Sequence, residues 1–247
     1  MIESQLGKTA SGLATEMTHP LVYSMIVDRV MLGIRRYIPE FCGMEPGDRV
    51  LDVCCGTGAQ ILLYGRRGVI SWGIDADSRM IEFAERCKAR LGLDNTHFHR
   101  ASAMNLPFKD ASFDHASIAM GLHEKEESSR DRIISEMRRV VKKNGTLVFV
   151  DYRVPYPRGT YPHVARVVER IAGKEHFGLF RAFLRDGGLD ALLRRHNLRE
   201  DERSYARRMP VVLLKARNVW GPDCRPRCPN TRPDARTDRL RSGGMMD

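Results

Sequence analysis

The sequence lacks any apolar run that approaches the ~20 residues of a membrane span. Its first residues, MIESQLGKTASGLATEM, also lack the apolar core that follows a basic start in a signal peptide. Aromatic residues are sparse at 7%, yet apolar residues in total reach 42% of the 247 positions, which is enough for an ordinary core. We therefore expect a soluble, cytoplasmic protein.

Paired cysteine spacings are missing too, although the chain contains six cysteines. Without a secretion signal, free thiols are the default. Cys224 and Cys228 lie four residues apart, but a zinc ion would need two further ligands, so we predict no metal site. Cys54 and Cys55 have no activating base nearby in sequence, and we interpret them as small apolar residues packed beneath a loop.

The charge is unbalanced, with a formal net charge of +10, and arginines accumulate after Pro157. A basic face can attract phosphates, RNA or an anionic membrane surface. No RNA-binding module signature accompanies the arginines, so a solvated, arginine-rich helix surface is the favoured interpretation. The last residues, 220–247, have almost no apolar content and are predicted to be a disordered tail.

Short apolar runs alternate with amphipathic segments between Arg49 and Tyr152. The runs are typical of buried strands, whereas segments such as SRMIEFAERCKARLGL have a helical period, with Ser78 as the predicted N-cap. The order is strand, helix, strand, helix, strand, loop, strand, helix, strand. This alternation predicts an α/β fold with a doubly wound, mostly parallel sheet and helices on both faces.

The remaining segments complete the expected domain, which spans residues 1–219. Leading helices are assigned to residues 1–45, the ligand-binding core to 46–152, and a cap with a C-terminal sheet segment to 153–219. The segment RSYARRMPVVLLKAR predicts a final antiparallel strand pair, which brings the sheet to seven strands. Pro210 restricts one of these two strands to an edge or a bulge.

The stretch RVLDVCCGTGAQ ends the first strand in a loop with two glycines, Gly56 and Gly58. The dinucleotide fingerprint G-x-G-x-x-G and the phosphate loop G-x-x-x-x-G-K-[ST] are both absent. Asp75 ends the second strand, where an acid can accept both hydroxyls of a ribose, and Asp52 adds a negative charge near the loop. Two acids without a phosphate-binding lysine suit a ligand with a ribose and a cationic sulfonium or ammonium group, as in S-adenosylmethionine.

Several ordered motifs then carry a resemblance, from about Arg49 to Leu193: VLDVCCGTG, GIDADSRMIEFA, ASAMNLPFKDASFDHA, LHE, EMRRVVKKNGTLVFVDY and GGLDALL. The chain resembles class I S-adenosylmethionine-dependent methyltransferases, specifically the ubiquinone/menaquinone-biosynthesis-like group that acts on small molecules. The resemblance implies a Rossmann-like methyltransferase fold, S-adenosylmethionine as the cofactor and transfer of its methyl group to a small molecule.

The resemblance also implies a set of cofactor-binding residues. Asp52, Gly56 and Gly58 would surround the methionine part, Cys54 belongs to the same cofactor-binding loop, and Asp75 would bind the ribose hydroxyls. The other positions are Met80 near the adenine, Ser102 and the Ala103 N–H at its polar edge, Met120 beside the sulfonium, and Tyr23 over the methionine end. This sequence departs from the family pattern twice, because Cys54 stands where glycine is commonest and Ser102 where aspartate is usual.

Candidate catalytic residues lie after the fourth strand and in the expected cap. His123, in GLHEKEE, and His176, in GKEHFGLF, could each accept a proton from the methyl acceptor, although a packing role is the alternative for both. Tyr152 could orient the substrate or simply pack at the rim. The segment Pro155 to Leu184 mixes apolar residues with arginines, which suits a cap over an apolar or anionic small substrate.

Two other functions stay open at this point. The positive charge allows an RNA methyltransferase or RNA-binding protein, but no N-P-P-Y-like motif follows the fourth strand, where AMGLHE stands. The departures at Cys54 and Ser102 allow a non-catalytic protein that only binds S-adenosylmethionine.

Overall fold

The structure, a computed structural model, describes residues 20–206 and 209–219 and is built on one seven-stranded sheet. The strand order is β3-β2-β1-β4-β5-β7-β6, with β1 to β5 parallel and β7 antiparallel to both of its neighbours. The strands are β1 (Arg49–Val53), β2 (Ile70–Asp75), β3 (Thr96–Arg100), β4 (Phe113–Ala119), β5 (Val141–Tyr152), β6 (Arg199–Tyr205) and β7 (Val211–Arg217). The predicted doubly wound sheet with an antiparallel last strand is confirmed.

Helices connect the strands and precede the sheet. They are α1 (Pro20–Tyr23), α2 (Arg29–Cys42), α3 (Ala59–Gly65), α4 (Ser78–Leu91), α5 (Glu127–Val140), α6 (Thr160–Ile171), α7 (Lys174–Arg185) and α8 (Gly188–Arg195), with a π-helical turn at Ser24–Asp28 between α1 and α2. None of the helices in the described part of the chain is long and apolar enough to cross a membrane.

The central strands of the sheet, β1, β4, β5 and β7, have side chains that are mostly buried. Val50, Leu51 and Val53 of β1 are fully buried, as are Leu147, Val148 and Phe149 of β5. Burial on both faces explains why these strands read as continuous apolar runs, since helices cover both sides of a parallel sheet. The strand order reverses between β1 and β4, which opens a crevice beyond the carboxyl ends of these strands, the usual ligand position in such sheets.

Element boundaries differ from the sequence prediction in three places. The N-cap of α4 is Asp77, whose side chain accepts the Arg79 N–H, and not Ser78, which is the first helical residue. β5 begins at Val141, whereas the sequence TLVFVDY predicts a strand only from Thr146, and its pairing to β4 is irregular. β6 starts at Arg199, earlier than the sequence pattern indicates. Its side chains are mostly exposed and charged, so they lack the apolar pattern of a strand, and β6 pairs with β7 along one edge.

The helices after β5 lie over the carboxyl end of the central strands. α6 and α7 contact each other, and Phe180 and Phe183 of α7 are fully buried. Arg130 of α5 donates to the carbonyl oxygens of Leu122 and Leu179, which joins the loop after β4 to α7. The segment predicted to form a cap is therefore helical and packed against the end of β4. The tail 220–247, with Cys224 and Cys228, lies outside the described residues.

Candidate functional site

The loop after β1 turns by adopting left-handed backbone conformations. Cys54 has φ 57°, Gly56 φ 54° and Gly58 φ 74°. A Cβ on Gly58 would lie 2.6 Å from the Phe98 ring and 2.8 Å from the Ala84 Cβ, so α4 and β3 exclude any side chain there. A Cβ on Gly56 would meet nothing within 4 Å, which leaves that face of the loop open. Cys54 has a positive φ, which glycine adopts without steric cost. This explains why glycine is the commonest residue at this position in the family that the sequence resembles.

Asp75, at the end of β2, holds this loop in place. Its Oδ2 accepts the Gly56 N–H at 2.9 Å, and its Oδ1 accepts the Asp77 N–H at 2.9 Å. Each oxygen of an ionised carboxylate can accept two hydrogen bonds. Both oxygens of Asp75 therefore keep a lone pair for another donor while they fix the loop.

A cavity of about 260 Å³ opens at the carboxyl ends of β1, β2 and β3. Four of the predicted cofactor residues line it: Cys54, Asp75, Ser102 and Ala103. The wall is completed by Ile74, Ala76, Ala101, Met104, Glu124, Lys125, Ser129 and Ile133. The Ser102 hydroxyl accepts the Met104 N–H at 3.2 Å and is otherwise exposed, so its own proton is available to a ligand.

Two other predicted cofactor residues, Met80 and Met120, are not among the residues that line this cavity. Met80 is buried on α4 and does not line the cavity. Met120 follows β4 with φ 56°, held by its N–H to the Val150 carbonyl oxygen, and is half-buried. The side chain of Tyr23 lies outside the described residues. Their roles stay predictions.

Asp52 is buried beneath the loop instead of facing the cavity. The Ser117 hydroxyl donates to its Oδ1 at 2.6 Å. Burial raises the pKa of Asp52 to about 6, against the opposing effects of Ser117 and Arg35. The carboxylate therefore gains or loses its charge in mildly acidic solution, and its influence on a ligand would be that of a nearby charge.

The two cysteines of the loop have inert thiols. Burial raises the pKa of the Cys54 thiol to about 12 and moves the pKa of Cys55 well above its usual value. A protonated thiol is a poor nucleophile. Cys55 lies in the core, in agreement with the packing interpretation, whereas Cys54 is only half-buried and contributes to the cavity wall.

A buried polar anchor, which the sequence analysis did not predict, joins the leading helices to the glycine loop. Asp28 accepts hydrogen bonds from Arg35 at 2.8 Å and from the Thr57 hydroxyl at 2.5 Å. The Gln60 amide donates to the Arg35 carbonyl oxygen. All four side chains are buried, so α2 and the loop after β1 form one hydrogen-bonded unit.

A second polar cluster lies past β4 and β5, under α6 and α7. The Asp151 Oδ1 lies 2.8 Å from the His123 Nδ1, and its Oδ2 accepts the His123 N–H. Glu169 of α6 faces both predicted histidines: its Oε2 lies 2.5 Å from the His176 Nε2, and its Oε1 lies 3.6 Å from the His123 Nε2. The Tyr152 hydroxyl donates to Glu169 Oε1 at 2.6 Å. The structure thus brings His123 and His176 together.

The carboxylates of this cluster control its protonation. Burial lowers the pKa of His123, but Asp151 and Glu169 outweigh that effect and raise it to about 9. Burial alone would raise the pKa of Glu169, but the hydrogen bond with His176 and the nearby His123 hold it below its usual range. With these neighbours His123 keeps its proton at neutral pH. Its role as a proton acceptor stays a prediction and would require one of these charges to be lost.

Glu124 and Lys125 connect the cavity to the cluster. The Lys125 ammonium donates to Glu124 Oε1 at 2.7 Å, and Glu124 Oε2 lies 4.0 Å from the His176 Nδ1. Both side chains also line the cavity. Lys125 was not predicted as a ligand residue, since it stands in the charged run HEKEE and belongs to no recognised motif. Glu169 was not predicted either, because it is one acid in an arginine-rich helix and no motif marks it.

Comparison with known proteins agrees with this geometry. Residues 50–145 match the family model of the methyltransferase domain. This range contains β1 to β4, α5, the start of β5, the glycine loop and every residue that lines the cavity.

Relatives of the methyltransferase domain include two quinone-related enzymes. A 2-phytyl-1,4-naphtoquinone methyltransferase from Nostoc is 33% identical over 143 residues, which cover 54% of this chain and 61% of the relative. A demethylmenaquinone methyltransferase from Bacillus cytotoxicus is 32% identical over 125 residues, covering 49% of this chain and 52% of the relative. The chain therefore spans between half and two thirds of the length of these relatives.

A solved structure extends the similarity to the fold of the larger part of the chain. A SAM-dependent methyltransferase from Aquifex aeolicus matches with a TM-score of 0.56 and 20% identity, over 75% of this chain and 89% of that one. At this identity the match shows the fold, which is the expected Rossmann-like methyltransferase fold. The RNA alternative gains no support from these comparisons.

Proposed function

We propose that this protein is an S-adenosylmethionine-dependent methyltransferase that acts on a small molecule. The observation that carries the proposal is Asp75, which shapes the glycine loop and still presents a free lone pair on each oxygen to the cavity. Two free acceptor sites on one carboxylate suit the two hydroxyls of a ribose. The family match over residues 50–145 supports the same conclusion.

The donor and acceptor groups around the cavity fit the rest of this cofactor. The Ser102 hydroxyl and the backbone of Ala103 would contact the adenine edge, and the side-chain-free face of Gly56 would admit the ligand close to the backbone. Lys125, paired with Glu124, would supply a cation for the carboxylate of the methionine part. When bound, S-adenosylmethionine would supply an electrophilic methyl group on a sulfonium.

The acceptor would lie between the cavity and the polar cluster under α6 and α7. Aromatic rings surround that cluster. The ring centroids of Tyr152 and Phe180 lie 4.9 Å apart, and those of Phe180 and Phe177 lie 5.9 Å apart. Such a wall suits a flat, apolar acceptor, and the names of the two quinone-related relatives favour a quinol-like ring. His123 and His176 would face the acceptor and position its polar group beneath α6 and α7.

Calorimetric titration with S-adenosylmethionine and S-adenosylhomocysteine tests the cofactor part. We expect Asp75→Ala to weaken binding about 10- to 100-fold, since hydrogen bonds to a charged group contribute about 1.5–3 kcal/mol. Ser102→Ala should lose less cofactor affinity than Asp75→Ala. Asp94→Ala, which changes an exposed acid outside the cavity, should bind both ligands like the unaltered chain. Failure of the well-folded protein to bind either ligand would rule out the proposal.

Product formation distinguishes an enzyme from a protein that only binds the cofactor. Incubation with S-adenosylmethionine and a panel of reduced quinones and phenols, followed by mass spectrometry, should show a product heavier by one methylene unit. Cofactor binding without any methylated product across the panel would favour the non-catalytic alternative, which the departures at Cys54 and Ser102 first suggested.

A further inference from the structure

His123, Glu124 and His176 form a group whose ligand atoms all lie within 4.8 Å of one another. The group joins the loop after β4 to α7, so it forms only when the helical cap packs on the sheet. Two imidazoles and one carboxylate are the protein ligands of many catalytic zinc sites, which keep a further position open. In the described residues these side chains stand beside the proposed cofactor cavity, because Glu124 contributes to both.

Each histidine of the group contacts a carboxylate outside the group through one of its ring nitrogens. Asp151 contacts the Nδ1 of His123 at 2.8 Å, so Nε2, which lies 3.6 Å from Glu169 Oε1, is the nitrogen that would bind an ion after it loses its proton. Glu169 contacts the Nε2 of His176 at 2.5 Å, which leaves Nδ1 facing Glu124 at 4.0 Å. Histidines that bind metal ions nearly always have such a partner, which fixes the tautomer and makes the free nitrogen a better ligand.

The charges around the group also favour a cation. Three carboxylates, from Glu124, Asp151 and Glu169, lie close to the two imidazoles. Lys125 forms an ion pair with one of these carboxylates, that of Glu124. Lys125 occupies Glu124 Oε1 and leaves Oε2 free. Tetrahedral zinc, with bonds of 2.0–2.2 Å, separates its ligand atoms by roughly 3.3 Å. Small rotations of the half-exposed Glu124 and His176 would close the present gaps.

We propose that His123, Glu124 and His176 bind one divalent transition-metal ion of the zinc type, which takes a hydroxyl oxygen of the methyl acceptor as a further ligand. The inference rests on the proposed function and deepens it: the acceptor belongs to the class of phenols, quinols or enols. A bound cation lowers the pKa of a coordinated O–H group. In that step the O–H bond breaks, the proton passes to solvent water and the electron pair stays on oxygen, so no oxidant or reductant is involved.

Metal content and affinity provide the test, with Zn²⁺ and Co²⁺ themselves as probes. The full chain is stripped with a chelator, reloaded and analysed by elemental mass spectrometry, and Co²⁺ binding is followed by its visible absorption. We expect one ion per chain. Glu124→Gln and His176→Ala should each weaken binding at least tenfold, because each removes one ligand, and Glu169→Gln should weaken it through the orientation of His176.

Matched variants separate this site from adventitious binding. His163 on α6 and Glu126 before α5 are exposed residues of the same types outside the group. His163→Ala and Glu126→Gln should bind the ion like the unaltered chain. Less than one ion per chain in the reloaded protein, or equal binding by the group variants and these controls, would overturn the inference. Circular dichroism checks that every variant is folded.

Titration of the stripped protein with S-adenosylhomocysteine separates this inference from the proposed function. Cofactor binding by a chain that takes up no metal would overturn the metal site alone. Metal binding that depends on Glu124 and His176, in a chain that binds no cofactor, would support the metal site and count against methyl transfer. Failure of both titrations would overturn both.

Discussion

At the scale of single residues, Gly56 and Gly58 differ in what surrounds them, although both have positive φ. The Gly58→Ala side chain would collide with Phe98 and Ala84, whereas that of Gly56→Ala would enter open space. Left-handed backbone costs a non-glycine residue about 1–2 kcal/mol. We expect Gly56→Ala to lose about that much free energy of unfolding and Gly58→Ala to lose at least about 2 kcal/mol more, from overpacking.

Urea unfolding of the two alanine variants measures this difference. The slope of the unfolding free energy against urea should stay constant if only the folded state is strained. Gly56→Ala should lose cofactor affinity beyond its modest loss of stability, because its methyl group occupies the open face of the loop. Equal destabilisation by the two substitutions would show that backbone strain, and not the contact with Phe98, controls the loop.

Asp52 is a residue whose contribution to stability should depend on pH. Its pKa of about 6 in the folded protein lies above the ordinary value of 3.8, because burial disfavours the charge. Its stabilising effect is therefore complete below about pH 4 and is lost as the pH rises through about 6. Asp52→Asn, which still accepts the Ser117 hydroxyl, should gain up to about 3 kcal/mol over the original chain at pH 8.

Denaturant titrations of this pair at pH 4 and pH 8 check the prediction. The stability difference between Asp52→Asn and the original chain should grow with pH and level off above about pH 7. Asp94→Asn, on an exposed acid, should show no such trend. A difference that is independent of pH would mean that Asp52 ionises normally in the folded protein.

At the scale of secondary-structure elements, the anchor made by Asp28, Arg35 and Thr57 fixes α2 against the glycine loop. Removing one partner of a buried ion pair typically costs about 3–5 kcal/mol, because the other charge is left uncompensated. Burial already raises the pKa of Asp28 more than Arg35 and Thr57 lower it. We expect Arg35→Met to destabilise the protein by about 3 kcal/mol and to weaken cofactor binding through the loop.

A double-mutant cycle tests the anchor directly. Asp28→Asn combined with Arg35→Met removes both charges, so the double variant should be more stable than Arg35→Met alone. Arg29→Met, on an exposed arginine of the same helix, is the matched control. Additive effects of the two substitutions would show that the ion pair does not couple α2 to the loop.

The elements themselves could be predicted because their signals are local. β1, β2 and β4 are short apolar runs, and the end of β2 pointed to Asp75, whereas Ser102 and Ala103 were implied by the family resemblance; all three line one cavity, and their role in binding stays a prediction. The predicted start of β6 was too far along the chain, because an exposed edge strand needs no apolar pattern. Glu169 could not be predicted, since its meeting with His123 depends on how α6 packs over the end of β5, and no spacing in the sequence records that packing.

The dependence on helix packing also explains why no sequence motif marks the proposed metal site. Metal motifs are recognised in sequences by short spacings, such as two histidines on one helix turn. His123 and His176 belong to a loop and to α7, and the segment between them contains α5, β5 and α6. Only the folded arrangement brings their ring nitrogens together, with Asp151 and Glu169 on the opposite sides.

At the scale of the whole molecule, the proposed cofactor cavity crosses the point where the strand order reverses. Residues after β1, β2 and β3 line one side, and Ser129 and Ile133 of α5, which leads to β5, line another. A ligand in this cavity would contact elements from both halves of the sheet. Its binding should therefore stabilise the entire cooperative unit and not one loop.

Thermal unfolding with and without S-adenosylhomocysteine measures this coupling. A ligand at 100 times its dissociation constant adds about 2.7 kcal/mol to the free energy of unfolding. For a chain of this size, that corresponds to a rise of about 5–10 °C in the midpoint. Asp75→Ala should show almost no rise at the same ligand concentration, and Asp94→Ala the full rise. A ligand-induced shift confined to a minor early transition would mean that the cavity belongs to one locally unfolding segment, because a ligand that bridges both halves of the sheet must move the main transition.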